Sequence, residues 1–190
     1  KNKYEQFASK RKAKKQIGYM PENVPLYQEL TAKEFVKYMA ELKGVERKIR
    51  KQEVENVLKL IGGQKIIEKF PLGIHQKITR SGLNMSAGEK QLISLARVLV
   101  HNPSILIMDE ATSHIDLETE EMVKKALQVV SKDRTVIVIA HRLSTIFDAD
   151  KIVVLDHGLK VEEGKHEDLV KLNGVYANIY RAQTANINLK

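Results

Sequence analysis

Two hydrophobic periods alternate along this chain. The helical one appears first after Thr31, where Phe35, Tyr38, Met39 and Leu42 recur at helix spacing until Gly44. It returns from Ile49 to Ile61, with Val54, Val57, Leu58 and Ile61 on one stripe ahead of Gly62-Gly63. Leu92, Ala96, Leu99 and Val100 mark a basic amphipathic helix that stops at Asn102-Pro103. Further helices are expected over Leu117 to Val130, His166 to Leu172 and Val175 to Ala182. Between these lie short runs of a different kind. Gln16 to Met20 is a short strand candidate ended by Pro21, and Ser104 to Asp109 is almost continuously apolar, the pattern of a parallel strand buried on both faces, with Thr135 to Ala140 another apolar, β-branched strand. Lys151 to Leu155 and Leu159 to Glu163, joined by Asp156-His157-Gly158, read as a hairpin.

Helix starts are marked too. Thr31 with Glu34, and Ser86 with Glu89, form the S/T-x-x-E capping box, in which hydroxyl and carboxylate each accept the other residue's amide. Asp116 can N-cap the helix that begins at Leu117. The expected fold is α/β: a mostly parallel sheet from strands near 16–20, 104–109, 135–140 and 151–163, with helices packed on it and a helical lobe from 31 to about 80.

Composition narrows the class. A chain of 190 residues, 43% hydrophobic and 29% charged, suits one globular domain or a sheet lobe with a small helical lobe. It has no Cys, which excludes disulfides and thiolate metal sites. No apolar run reaches the ~18 residues of a membrane span, so a membrane link is expected to come through a partner. The net charge of +8 is diffuse except at Lys10 to Lys15. A solvated lysine-rich surface, anionic lipid and nucleic acid all fit that charge, and salt dependence would separate them.

Candidate chemistry gathers between Asn84 and Glu120. Ala87 and Gly88 leave the first helical turn nearly bare, so an anion could approach its amides; a plain capped helix reads the same way. Asp109 and Glu110 emerge at the carboxyl end of a strand, where open α/β sheets hold ligands, and adjacent residues point to opposite sides. One could hold Mg²⁺ while the other faces a water; the alternative is a solvated acidic loop. His141 stands at the end of the strand 135–140, and a hydrogen-bonded structural histidine is the alternative there.

The order of these features resembles the ATP-binding cassette (ABC) ATPase domain. Met85 to Glu89 is similar to the LSGGQ signature, Ile105 to Glu110 to the Walker B strand, Ser113 to Asp116 to the D-loop, and Ile139 to Arg142 to the H-loop. Ile17 to Glu22 resembles the start of the Q-loop, with Glu22 in place of glutamine, and Glu163-Gly164-Lys165-His166 resembles the family's C-terminal end. The resemblance implies a partial P-loop NTPase-like sheet with a helical subdomain. It divides the chain into a basic segment (1–15), a Q-loop-like strand and loop (16–30), a helical subdomain (31–84) and the signature-to-C-terminal part (85–190). It also implies Asp109 and Glu22 as Mg²⁺ ligands, and Glu110 and His141 as catalytic base and switch histidine. Ser86, Ala87, Gly88, Glu89, Asp116 and Glu22 are then the residues facing ATP. The implied partners are a transmembrane domain or subunit and a second ABC ATPase domain, as homo- or heterodimer, at the cytoplasmic face of the membrane and without nucleic acid. Residues 16–61 resemble ABC-2-type ATPase subunits and 70–183 exporter-type domains, which suggests a chimera joined between Gly62 and Lys69.

No G-x-x-x-x-G-K-[ST] occurs, so the loop that cradles phosphates is missing, as is the family's adenine-stacking aromatic. The sequence thus starts just before the Q-loop, and the expectation is no appreciable ATP hydrolysis by this chain alone. Three other readings compete. The chain could donate its signature in trans to ATP on a complete partner, or be a non-enzymatic recombined or designed α/β scaffold. A DNA-repair-type ABC ATPase would suit the charge, yet the interval from Glu22 to Met85 is too short for that class's long coiled coil.

Overall fold

The computed structural model describes residues 13–22, 27, 30–61, 77, 85–109, 117–140 and 143–187. It divides into two compact units, Lys1–Ile139 and Ala140–Lys190.

In the first unit, strands β1 (Ile17–Met20), β2 (Ile105–Asp109) and β3 (Thr135–Ile139) form a parallel sheet in the order β1-β2-β3. Tyr19 lies beside Ile107, which lies beside Ile137, and Asp109 lies beside Ile139. Helices α1 (Ala32–Leu42), α2 (Arg47–Leu60) and α3 (Ala87–Leu99) fall between β1 and β2, and α4 (Leu117–Val130) connects β2 to β3. Both capping boxes are present: Glu34 N donates to Thr31 Oγ1 at 3.1 Å and Thr31 N to Glu34 Oε2 at 2.8 Å, and Ser86 and Glu89 repeat the exchange on α3.

Helix α3 is the centre of this unit. It packs against α1, α2, α4 and β1. The expected amphipathic helix is therefore buried nearly all round, Gln91, Ser94 and Arg97 included. The same core takes Phe35, Val36 and Ala40 from α1, Val54, Val57 and Leu58 from α2, and Val123, Ala126 and Val130 from α4. The stripe on α1 is thus rotated from expectation. Tyr38 and Leu42 are exposed, and Tyr38 instead meets Tyr27 edge-on at 5.6 Å. A Cβ on Gly18 would run into Val98 and, at 2.9 Å, Pro103, so glycine is what lets β1 lie against α3.

The sheet departs from two-sided burial. Met20, Leu106 and Met108 are fully buried against the helices, each worth ~1.5–3 kcal/mol relative to exposure. On the opposite face Tyr19, Ile137 and Ile139 are half exposed, 50%, 48% and 50%. The described helices share their core with one face only, so β2 and β3 alternate in burial despite their continuous apolar sequence.

In the second unit, β4 (Ile152–Asp156) and β5 (Leu159–Gly164) pair antiparallel, followed by α5 (His166–Leu172) and α6 (Val175–Ile187). The two strands expected near 151–163 make a sheet of their own rather than extending the parallel one. The reason is local: the turn residues His157 and Gly158 both have positive φ, 45° and 79°, the requirement of a tight two-residue hairpin. Leu143, Ile152, Val154, Leu169 and Tyr176 form the core here. Glu162 accepts from Val175 N at 2.5 Å and Tyr176 N at 2.9 Å, capping α6. Exposed Glu163 sits between Lys151 and Lys160, whose hydrogen bonds pull its carboxyl down to about 2. Among the described residues no helix is long and apolar enough to cross a membrane.

Candidate functional site

Ser86 takes an extended conformation (φ −65°, ψ 159°), as an N-cap must, and Met85 before it is buried in the core. Glu89 N donates to Ser86 Oγ at 3.2 Å, and Ser86 N donates to Glu89 Oε2 at 2.8 Å. The two polar side chains are thereby committed to backbone groups. Among the described residues, the amides of Ala87 and Gly88 at the positive end of α3 have no hydrogen-bond partner. Ser86 and Ala87 are exposed, Gly88 is buried and Glu89 is half-buried. With both side chains engaged, an anion at this helix end would meet amides more readily than side chains.

Asp109 ends β2, the middle strand, at the carboxyl edge of the sheet, and is half-buried. Its Oδ2 accepts a hydrogen bond from the Tyr19 hydroxyl at 3.1 Å. The geometry follows from register. Tyr19 sits beside Ile107, and Asp109 is two residues further on, so it shares Tyr19's face one pleat along. The phenol is raised above its ordinary range, chiefly by this hydrogen bond, with burial and the Asp109 charge adding to it. The Tyr19 carbonyl in turn accepts from Arg97 Nη2 at 3.4 Å. Burial of Arg97 lowers its guanidinium from the usual value.

A hard carboxylate at a strand end suits Mg²⁺, which is held by one or two carboxylates together with water and substrate oxygens. Among the described residues no cluster of three or more His, Cys, Asp or Glu could enclose a metal. Glu22, the other candidate ligand, is exposed just past the end of β1. Ser86, Ala87, Gly88, Glu89, Asp109 and Glu22 all fall on described positions, whereas Glu110, Asp116 and His141 lie outside the described residues, as does the segment from Gly62 to Lys69.

Sequence reasoning missed Tyr19 and Arg97. Gln16 to Met20 read only as a strand, and the sole available signal was alternation, which puts Tyr19 and Asp109 on one face once β1 and β2 are paired in parallel. It also missed His101, whose ring burial, with the charge of Lys43 secondary, pushes it down to about 4.

Comparison with known proteins locates this arrangement. The profile of the family described as "ABC transporter" matches residues 1–113. The chain is 49% identical over 138 residues to a Bacillus subtilis (strain 168) protein named "Probable multidrug resistance ABC transporter ATP-binding/permease protein YheH", which covers 73% of this chain and 20% of that protein. It is 46% identical over 132 residues to the B. subtilis protein named "Uncharacterized ABC transporter ATP-binding protein YknV", covering 70% of this chain and 22% of that one. A solved structure of a bacterial Atm1-family ABC exporter with ATP bound superposes with a TM-score of 0.77 at 37% identity, over 89% of this chain and 28% of that one. The chain thus spans about a fifth of the length of the curated relatives it matches. With a profile match over more than half its length and the same α/β arrangement in a solved exporter, the chain belongs to the ABC transporter family, as part of its ATP-binding domain.

Proposed function

We propose that this chain supplies the signature, metal-holding and switch elements of the ATPase domain of a multidrug-type ABC exporter. One observation carries the reading: a single parallel α/β unit pairs a rigidly capped helix start at Ser86 with a carboxylate, Asp109, at the carboxyl end of its central strand. The exporter class follows the name of the B. subtilis relative and the superposed exporter.

In this reading Asp109, with Glu22, holds Mg²⁺, which when bound offsets the negative charge of the triphosphate oxygens. Glu110 takes the proton of the attacking water. His141 orders that water and contacts the terminal phosphate. Asp116 belongs to a loop that meets a second ATPase domain, identical or different. Ser86, Ala87, Gly88 and Glu89 face ATP held by that second domain, where the open amides of α3 receive phosphate oxygens. The segments 16–30, 31–84 and 85–190 act as Q-loop, helical subdomain and signature-to-C-terminal part, and 62–69 is the seam if the chain is recombined. A transmembrane domain at the cytoplasmic face of the membrane is the coupled partner.

The 190 residues contain no G-x-x-x-x-G-K-[ST], and phosphoryl transfer depends on the positioning that loop provides. We therefore expect no appreciable ATP hydrolysis by this chain alone, and stimulation when it is mixed with an ABC ATPase domain that carries the loop. Ser86→Arg should abolish that stimulation. Turnover by the chain alone that disappears in Glu110→Gln would overturn the first expectation; stimulation untouched by Ser86→Arg would overturn the second and favour a scaffold without nucleotide chemistry.

A further inference from the structure

Tyr19 stands half exposed on the sheet face opposite the described helices, yet its hydroxyl reaches across to the neighbouring strand and donates to Asp109 Oδ2 at 3.1 Å. Its backbone is fixed twice. The parallel ladder sets it beside Ile107, and its carbonyl accepts from the buried Arg97 of α3 at 3.4 Å. A donor so anchored engages one carboxylate oxygen and leaves the other with its lone pairs free. We infer that Tyr19 is a positioning residue for the Asp109 carboxylate, holding it by Oδ2 so that Oδ1 is presented to a divalent cation at the carboxyl edge of β2. The inference rests on Asp109 being a metal ligand, as proposed above.

A neutral phenol suits this task. It orients the carboxylate without cancelling its charge, whereas a Lys or Arg in its place would compete with the cation. Outer hydrogen bonds of this kind tune the affinity of the groups that touch a metal. Arg97 extends the link to α3, so the helix that begins at Ser86 and the carboxylate at the end of β2 are tied through one residue of β1.

The test uses the full chain and Mn²⁺ as the probe. Three-bond couplings to Asp109 Cγ, read without metal, report its rotamer, and paramagnetic broadening of its neighbours reports Mn²⁺ binding. Tyr19→Phe keeps the ring, and Tyr19→Met removes ring and hydroxyl together. We expect one Asp109 rotamer in the wild-type chain, averaging in both variants, and Mn²⁺ binding weakened about tenfold in both, the lower end of what outer hydrogen bonds contribute. An unchanged circular dichroism spectrum shows that the fold is kept. A fixed rotamer in both variants, or Mn²⁺ binding that ignores the substitutions, overturns the inference alone. Wild-type Mn²⁺ binding that is absent, or unaffected by Asp109→Asn, overturns the metal reading and the inference with it.

Discussion

His101 sits just past α3 with its ring drawn into the protein, and burial, aided by the Lys43 charge, lowers its proton affinity to about 4. A histidine with a depressed value gives stability that is complete above its ordinary, unfolded value near 6.5. Below that pH the unfolded chain binds the proton first, so stability falls progressively until the folded value near 4 is passed. We expect the urea midpoint to drop between pH 7 and pH 5, and His101→Phe to flatten that drop; a slope unchanged in the variant would rule His101 out as its source. Ser94 illustrates the opposite case. Its hydroxyl is buried in α3 without a hydrogen-bond partner among the described residues. A buried group left unpaired gains nothing from its polarity. Ser94→Ala should therefore leave stability unchanged or raise it by up to about 1–2 kcal/mol, and a loss of that size in urea denaturation would show that the hydroxyl has a partner after all.

At the scale of elements, the start of α6 depends on a side chain from another element. Glu162 of β5 accepts from the Val175 and Tyr176 amides, and a Cβ on Gly174 would collide with its carboxylate. Glu162→Ala should cost about 1 kcal/mol, with a range of ~0.5–2, as for loss of other N-caps, and Gly174→Ala should displace the same carboxylate. Thermal unfolding of both variants checks this. The element was visible in sequence and its cap was not, because acceptor and donors are 13 and 14 residues apart with α5 between them. The caps at Thr31 and Ser86 were legible because both partners fall within four residues. The same contrast explains α3. Its 3.6-residue stripe was readable, but burial of Gln91, Ser94 and Arg97 depends on four neighbouring elements that no local pattern announces. Tyr19 was illegible for the same reason: its role exists only once β1 and β2 are in register.

For the whole molecule, the exposed apolar groups matter most. In one unit Tyr19, Ile137 and Ile139 lie open on the sheet; in the other Val153, Leu155, Leu159 and Val161 do so on the hairpin. Scattered apolar side chains are ordinary on a surface, but several on one face of a sheet favour association. We expect the chain to self-associate in a concentration-dependent way, and Ile137→Thr with Ile139→Thr to reduce it. Sedimentation velocity decides: a monomer at all concentrations, or indifference to the substitutions, contradicts the expectation. The continuous apolar runs at 104–109 and 135–140 implied two covered faces; only the placement of the described helices reveals that Tyr19, Ile137 and Ile139 stay half exposed on one of them.

The reciprocal bonds between Ser86 and Glu89 also leave a readable trace in time. Amide protons at 86 and 89 are locked by side chains while that of exposed Ala87 is not, so deuterium should enter quickly at 87 and slowly at 86 and 89. An oxyanion resting on the helix end would slow 87 and leave 86 and 89 as they were. This short stretch of backbone thereby reports its own occupancy without any label being attached.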